Sequence, residues 1–213
     1  MPIVYHIDPS KPDELAIEKV ISSLREGKVI IFPTETFYGL GVDIKNEKAL
    51  EKIFSIKQRR PQNPLPVLIP DESFLKELTI DVPKMASILI ERFWPGELTI
   101  VFRANSSVSS IISPQGKIGL RISSHPVALK ITQMFHSPIT CTSANLSGQS
   151  PSTAVEEIDF FLKERVDIIV DAGKTPGGSP STVLDITCYP PRVLREGKIG
   201  IEHLKVYIPD IIR

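Results

Sequence analysis

An α/β fold, a mixed sheet covered by helices, is predicted by three features of the sequence. Short apolar runs of strand type alternate along the chain with stretches whose apolar residues recur at helical spacing. Some intervals between apolar runs are too short for a helical crossover, so those strand pairs are antiparallel and the sheet is mixed. The 213 residues, 41% hydrophobic and 23% charged, have a globular composition and can bury a substantial core in one domain.

Residues 3–7 read as the first strand. Leu15, Ile17, Val20, Ile21 and Leu24 then fall at helical spacing, and Gly27 supplies a stop. Residues 29–32 form a strand, and Ala49, Leu50, Ile53, Phe54 and Ile56 mark a second helix. Strands follow at 66–69 and 98–102, separated by helical stretches around Phe74 and over 85–93. Further strands are expected at 118–122, 139–142, 168–170, 183–186 and 193–194, with helices at 127–135 and 154–162. The last two strands are joined across Pro190-Pro191, an interval that demands an antiparallel pair. There is no internal repeat, low-complexity tract or linker, so residues 1–213 are read as a single domain with no extra C-terminal domain.

The 25 Lys plus Arg balance 25 Asp plus Glu, which leaves no global field for a polyanion; nucleic acid would need a local basic patch. The first residues lack a basic region followed by an apolar core, and no apolar run approaches a membrane span, which makes the cytoplasm the expected location. Cys141 and Cys188 are expected as thiols. His6, His125, His136 and His203 are scattered, with no zinc spacing, so no protein-held metal is expected.

Chemistry is expected where polar clusters follow apolar runs. The strand ending at Phe32 meets Pro33, then Thr34-Glu35-Thr36, and Gly39 and Gly41 are expected to turn the backbone sharply. The strand would thereby deliver hydroxyls and a carboxylate to a pocket rim, unless the cluster is simply a polar surface turn. Lys57 and Arg59 end the second helix, where they either complement its dipole or grip an oligophosphate. Arg121 lies inside an apolar strand and needs an anion, from the protein or from a ligand. His125, before Pro126 at a helix start, reads as a cap or packing residue. Ser143, Asn145 and Ser147 either support a local turn or form a phosphate cradle.

Gly173-Lys174-Thr175 imitates a phosphate-binding loop, but the glycine required five positions before Gly173 is Ile168, and that reading fails. The loop is read as a flexible flap ending at Ser181-Thr182. Arg192 and Arg195 flank an apolar pair and are expected on one face. Hydroxyls, amides and cations dominate, a profile that suits positioning and charge neutralisation around a nucleotide.

Taken together, several of these segments resemble the YrdC-like family of threonylcarbamoyl-AMP synthases. They are residues 32–41, Lys57-x-Arg59 with Asn63-Pro64-Leu65, Trp94-Pro95-Gly96-Glu97-Leu98-Thr99, Arg121, residues 143–148 and Ser181-Thr182-Val183. The resemblance runs from about residue 8 to about residue 200. It implies a twisted mixed sheet flanked by helices around a large, concave, positively lined cavity. It also implies a nucleotidyltransferase that makes L-threonylcarbamoyl-AMP from L-threonine, bicarbonate and ATP, releasing pyrophosphate. The product would serve threonylcarbamoyladenosine modification of tRNAs reading codons that begin with A.

Residue by residue, the resemblance implies that Lys57 and Arg59 hold the ATP phosphates as the catalytic cations. Ser143, Asn145 and Arg195 would contact the nucleotide, and Thr34, Arg121 and Ser181 would bind threonine, Arg121 through the carboxylate. Mg²⁺ would arrive with ATP, and tRNA or downstream tRNA-modification proteins would be partners. Two departures stand out: some relatives carry a histidine where this chain has Pro66-Val67-Leu68, and Gly177-Gly178-Ser179-Pro180 differs from the glycine-glutamate versions of other members. Two rivals remain: a non-catalytic module binding double-stranded RNA or tRNA, and a relative handling a different carbamoyl-adenylate, as fused versions of the fold do in hydrogenase maturation.

Overall fold

A computed structural model describes residues 1–58 and 64–213. Its strands are β1 (Ile3–His6), β2 (Ile30–Phe32), β3 (Gly39–Gly41), β4 (Val67–Leu68), β5 (Leu98–Arg103), β6 (Lys117–Arg121), β7 (Ile139–Thr140), β8 (Thr142–Ser143), β9 (Ile168–Asp171), β10 (Thr182–Asp185) and β11 (Arg192–Arg195). Its helices are α1 (Glu14–Arg25), α2 (Glu47–Lys57), α3 (Leu75–Leu78), α4 (Lys84–Phe93), α5 (Pro126–Phe135), α6 (Phe160–Lys163) and α7 (Ile201–Lys205).

The single expected sheet is in fact two, and both are mixed. One runs β1-β9-β2-β3-β8, the other β11-β10-β5-β6-β4-β7. The expected antiparallel pair across Pro190-Pro191 is present as β10 with β11. The expected strand 139–142 breaks at Cys141: β7 pairs with β4 in one sheet, β8 with β3 in the other. Cys141 donates its N–H to Pro66 O at 2.7 Å at this crossing point. The chain therefore passes from sheet to sheet where the first polar clusters gather.

Burial explains why both sheets are so apolar. Alternation sends Ile30 and Phe32 of β2 toward α1 and α5, where they pack on Ile17, Val20, Ile21 and Ile131. Val29 and Ile31 face the other way, into a larger core that both sheets share with α2 and α4. Each fully buried side chain of this kind contributes about 2 kcal/mol. The helix starts are capped as their sequences demand: Asp13 accepts from Leu15 N at 3.0 Å, and Asn46 from Ala49 N at 3.0 Å. The expected helix 154–162 is interrupted, because Asp159 accepts from Phe161 and Leu162 N–H and starts α6 afresh after a short 3-10 turn.

The glycines of the first motif work differently from expectation. Gly39 and Gly41 sit in strand β3 rather than in a sharp turn. A Cβ at Gly41 would lie 2.7 Å from the Phe32 ring and 2.8 Å from Thr140 O. Close packing between strands, not a turn, is what requires glycine there.

Candidate active site

After β2 the chain makes a tight turn closed by Thr34. Its Oγ1 donates to Phe37 O at 2.7 Å and accepts from Thr36 N at 3.2 Å and Phe37 N at 3.3 Å. The loop after β9 is tied to this turn: Thr175 Oγ1 donates to Thr36 O at 3.0 Å, and Gly177 N–H to the same oxygen at 2.8 Å. Tyr38, wholly buried, donates its phenol to Gly173 O at 2.6 Å and accepts from Ala172 N at 3.1 Å. Burial pushes the Tyr38 phenol well above its ordinary value. The expected flap is thus a strap, held along its length by hydrogen bonds to residues 36–38.

Arg121, the last residue of β6, is buried and meets a protein carboxylate. Its Nη1 donates to Glu35 Oε1, and its Nη2 lies 3.5 Å from Cys141 Sγ. Ser123 Oγ donates to the other oxygen of Glu35. Burial works against the charge of Arg121, and Glu35, Cys141 and Glu97 together outweigh it, raising the guanidinium above its ordinary value. Burial also pushes the Cys141 thiol up, against the pull of Arg121. Glu35 was expected at the rim; the turn instead points it behind the wall. His125 caps α5, accepting from Val127 N at 3.3 Å, and burial lowers its pKa.

Lys57 ends α2 and is 1% exposed. Its Nζ donates to Ser143 O, to Asn145 O at 2.8 Å and to Asn145 Oδ1 at 3.2 Å. Ser143 Oγ donates to Asn145 Oδ1 at 2.5 Å. Ser147 returns the grip, its Oγ donating to Lys57 O at 2.8 Å. Helix end and turn are therefore one unit. Arg59, and Asn63 of the same motif, lie outside the described residues.

Ser181 stands just before β10. Arg195 reaches it from β11, with Nη2 2.9 Å from Ser181 O and 3.0 Å from its Oγ, while Thr99 Oγ1 lies 3.1 Å away. Strict alternation would place Arg192 and Arg195, three apart, on opposite faces. A bulge at Leu194 changes this. It sets Arg192 opposite Asp185 and Arg195 opposite Val183, two positions of β10 that share a face. The expected common side is real, and the bulge is its cause.

These elements converge. Thr34, Arg121, Ser143, Asn145, Ser181 and Arg195 all line one cavity of about 260 Å³, together with Thr36, Tyr38 and Cys141. Lys57 is not among its walls; it sits behind the 143–145 turn. Beside it lies a hollow of about 430 Å³, more apolar, walled by Leu65, Val101, Val183 and Leu194, with the Lys117–Asp185 ion pair at 2.9 Å on its lining. Pro66 and Arg195 border both. Sequence reasoning expected the Thr36 hydroxyl at a pocket rim but passed over Tyr38 and Cys141 as lining residues. Thr36 and Tyr38 carried a signal, since both stand in the polar run after β2; Cys141 was marked only as a thiol.

Comparison with known proteins agrees with this architecture. The model of the Sua5, YciO and YrdC family, described as telomere recombination, matches residues 22–197. The threonylcarbamoyl-AMP synthase of Pyrococcus abyssi is 37% identical over 202 residues, which are 93% of this chain and 59% of that protein. That of Bacillus subtilis is 38% identical over 206 residues, 96% of this chain and 60% of the relative. The chain thus spans about three fifths of the length of these two curated relatives. The structure of P. abyssi Sua5 complexed with L-threonine superimposes with a TM-score of 0.93 at 34% identity, covering 99% of this chain and 62% of that one. A family-model match over residues 22–197, a relative 37% identical over 93% of the chain and a closely superimposable fold establish that the chain belongs to the Sua5, YciO and YrdC family.

Proposed function

We propose that the chain makes L-threonylcarbamoyl-AMP from L-threonine, bicarbonate and ATP, with release of pyrophosphate. The observation that carries this reading is the convergence of Thr34, Arg121, Ser143, Asn145, Ser181 and Arg195 on one small polar cavity that opens beside a larger, more apolar one. A polar cavity with a guanidinium in its wall suits an amino acid, and an apolar hollow suits a nucleobase. The curated relatives are named threonylcarbamoyl-AMP synthases, and the structure of one contains L-threonine.

In this reading Arg121 meets the threonine carboxylate, while Thr34 and Ser181 offer hydroxyls to the rest of the amino acid. The threonine amine and bicarbonate condense to a carbamate with loss of water. A carbamate oxygen then attacks the α-phosphorus of ATP, and the bond to the β-phosphate oxygen breaks as pyrophosphate leaves. Ser143, Asn145 and Arg195 stand where the nucleotide would be aligned, and Lys57 holds the turn that presents the first two. Arg59 takes its place beside the phosphates by resemblance alone. The rate gain would come from alignment and from cations beside the leaving group.

The donor set around the cavity consists of hydroxyls, amides and guanidinium, and the adjacent carboxylate of Glu35 is engaged by Arg121 and Ser123. Mg²⁺ would accordingly be held by the phosphate oxygens of ATP and by water. Its charge would offset that of the departing pyrophosphate. The product would go to the enzymes that modify tRNA. No helix among the described residues is long and apolar enough to cross a membrane.

Purified protein incubated with ATP, Mg²⁺, bicarbonate and each amino acid in turn should release pyrophosphate with threonine only. Salt-sensitive RNA binding without threonine-dependent ATP consumption would instead establish the binding-module alternative, against which the zero net charge already weighs. ATP–pyrophosphate exchange driven by carbamoyl phosphate would point to the carbamoyl-adenylate alternative.

A further inference from the structure

We infer that Glu35 is the positioning residue of the amino-acid end: it fixes the plane of the Arg121 guanidinium so that the cation presents its remaining donors to a carboxylate in the cavity. The inference rests on the threonine reading above and adds to it a residue that does not itself line the cavity.

The geometry is a relay of four contacts. The His125 N–H, at the start of α5, donates to Ser123 Oγ at 3.2 Å, and Ser123 Oγ donates onward to Glu35 Oε2. Glu35 Oε1 accepts from Arg121 Nη1, and Arg121 Nη2 reaches Cys141 Sγ at 3.5 Å. A guanidinium is planar, so contacts at both terminal nitrogens determine its orientation. Glu35 is buried at 9% exposure and Arg121 at 4%, which removes competing water from the pair. Thr34 and Thr36, either side of Glu35, line the cavity, while Glu35 points to its back. The same turn therefore supplies hydroxyls to the front of the site and orientation from the rear.

Two physical roles are separable here. If Glu35 only cancelled the charge of Arg121, neutralising it would leave a stronger cation and tighten the hold on a carboxylate. If Glu35 orients the fork, neutralising it replaces a charge-assisted bond by a weaker one, and carboxylate recognition declines.

The test measures binding of L-threonine and of L-threoninamide, which lacks the carboxylate, by calorimetry, in wild-type protein, Glu35→Gln and Ser123→Ala. Wild type should favour threonine over the amide by about tenfold or more, the scale of one charge-assisted contact. In Glu35→Gln the ratio should fall about threefold or more, with amide binding nearly unchanged; in Ser123→Ala it should fall by less. A structural role alone would weaken both ligands together. An unchanged ratio in both variants, a parallel loss of both ligands, or tighter threonine binding in Glu35→Gln overturns the inference while leaving the threonine reading intact. Wild-type protein that binds neither ligand and releases no pyrophosphate with threonine overturns the reading itself. Should Glu35→Gln fail to fold, Ser123→Ala decides alone: a lower ratio upholds the inference and an unchanged ratio overturns it.

Discussion

Arg121 in the wall of the polar cavity and Lys57 behind its 143–145 turn are held by different kinds of partner. Arg121, which the proposed reading puts at the amino-acid end, is paired with a carboxylate, Glu35. Lys57, behind the 143–145 turn, donates to the amide oxygens of Ser143 and Asn145, which fix the ammonium against that turn. A single small carboxylate needs direction more than field, and a fixed planar fork supplies direction. On the reading proposed above, a polyphosphate needs a shaped turn, and Lys57, clamped under residues 143–145, would hold that turn in place. The difference teaches that a buried cation can be fixed by a carboxylate in one place and by amide oxygens in another.

The largest expected effect breaks the phosphate end. Lys57→Met leaves several buried amide oxygens without their donor and loosens the turn. Threonine-dependent pyrophosphate release should fall about a hundredfold or more, and denaturant unfolding should show a loss of about 2–3 kcal/mol. Threonine binding measured without ATP should stay within about twofold of wild type, because the ends are separately held. A comparable loss of threonine affinity would dissolve the distinction between them.

The mirror change is Arg121→Lys. A point charge cannot face both Glu35 and a bound carboxylate as a fork does. Calorimetry should show threonine affinity reduced about tenfold, with nucleotide affinity within about twofold. Loss at the nucleotide instead would place Arg121 at the wrong end.

Ser181 depends on a contact that only glycine allows. A Cβ at Gly197 would stand 2.1 Å from Pro180 O and 2.8 Å from Ser181 O, both backbone atoms with little room to yield. Gly197→Ala should destabilise by about 2 kcal/mol in thermal denaturation, with a matching loss of threonine affinity as Ser181 shifts. Unchanged stability would mean that the 180–181 backbone moves freely.

A smaller effect belongs to the neighbouring hollow. Burial works to raise the Asp185 carboxyl, and hydrogen bonds from Thr187 and Lys117 outweigh it, holding the group below its ordinary value. The unfolded chain therefore takes up the proton first as pH falls, so stability present above the ordinary carboxylate range is lost as pH drops through the folded value. Asp185→Asn should flatten the decline of Tm between about pH 5 and pH 2, and an equally steep decline would assign the acid sensitivity to other carboxylates.

Periodicity determined which segments became helices and strands. The alternating faces of β2, the stripe of α1 and the antiparallel closure of β10 on β11 follow from residue order, because burial rewards one periodicity for each element. The polar clusters that line the cavity were legible as candidates too, since several of them follow apolar strands, although each alone reads equally as a turn. The sequence could not show that residues 139–143 are divided between two sheets, because the pairing partners of β7 and β8 lie about 70 and 100 residues away in the chain. Nor could it show that Glu35 would turn back to Arg121, 86 positions further on, or that Lys57 would reach under Ser143 and Asn145. Local sequence specifies element and face; the partner of a buried charge is chosen only when distant segments close upon one another, for that is when water leaves and the charge must find a counterpart.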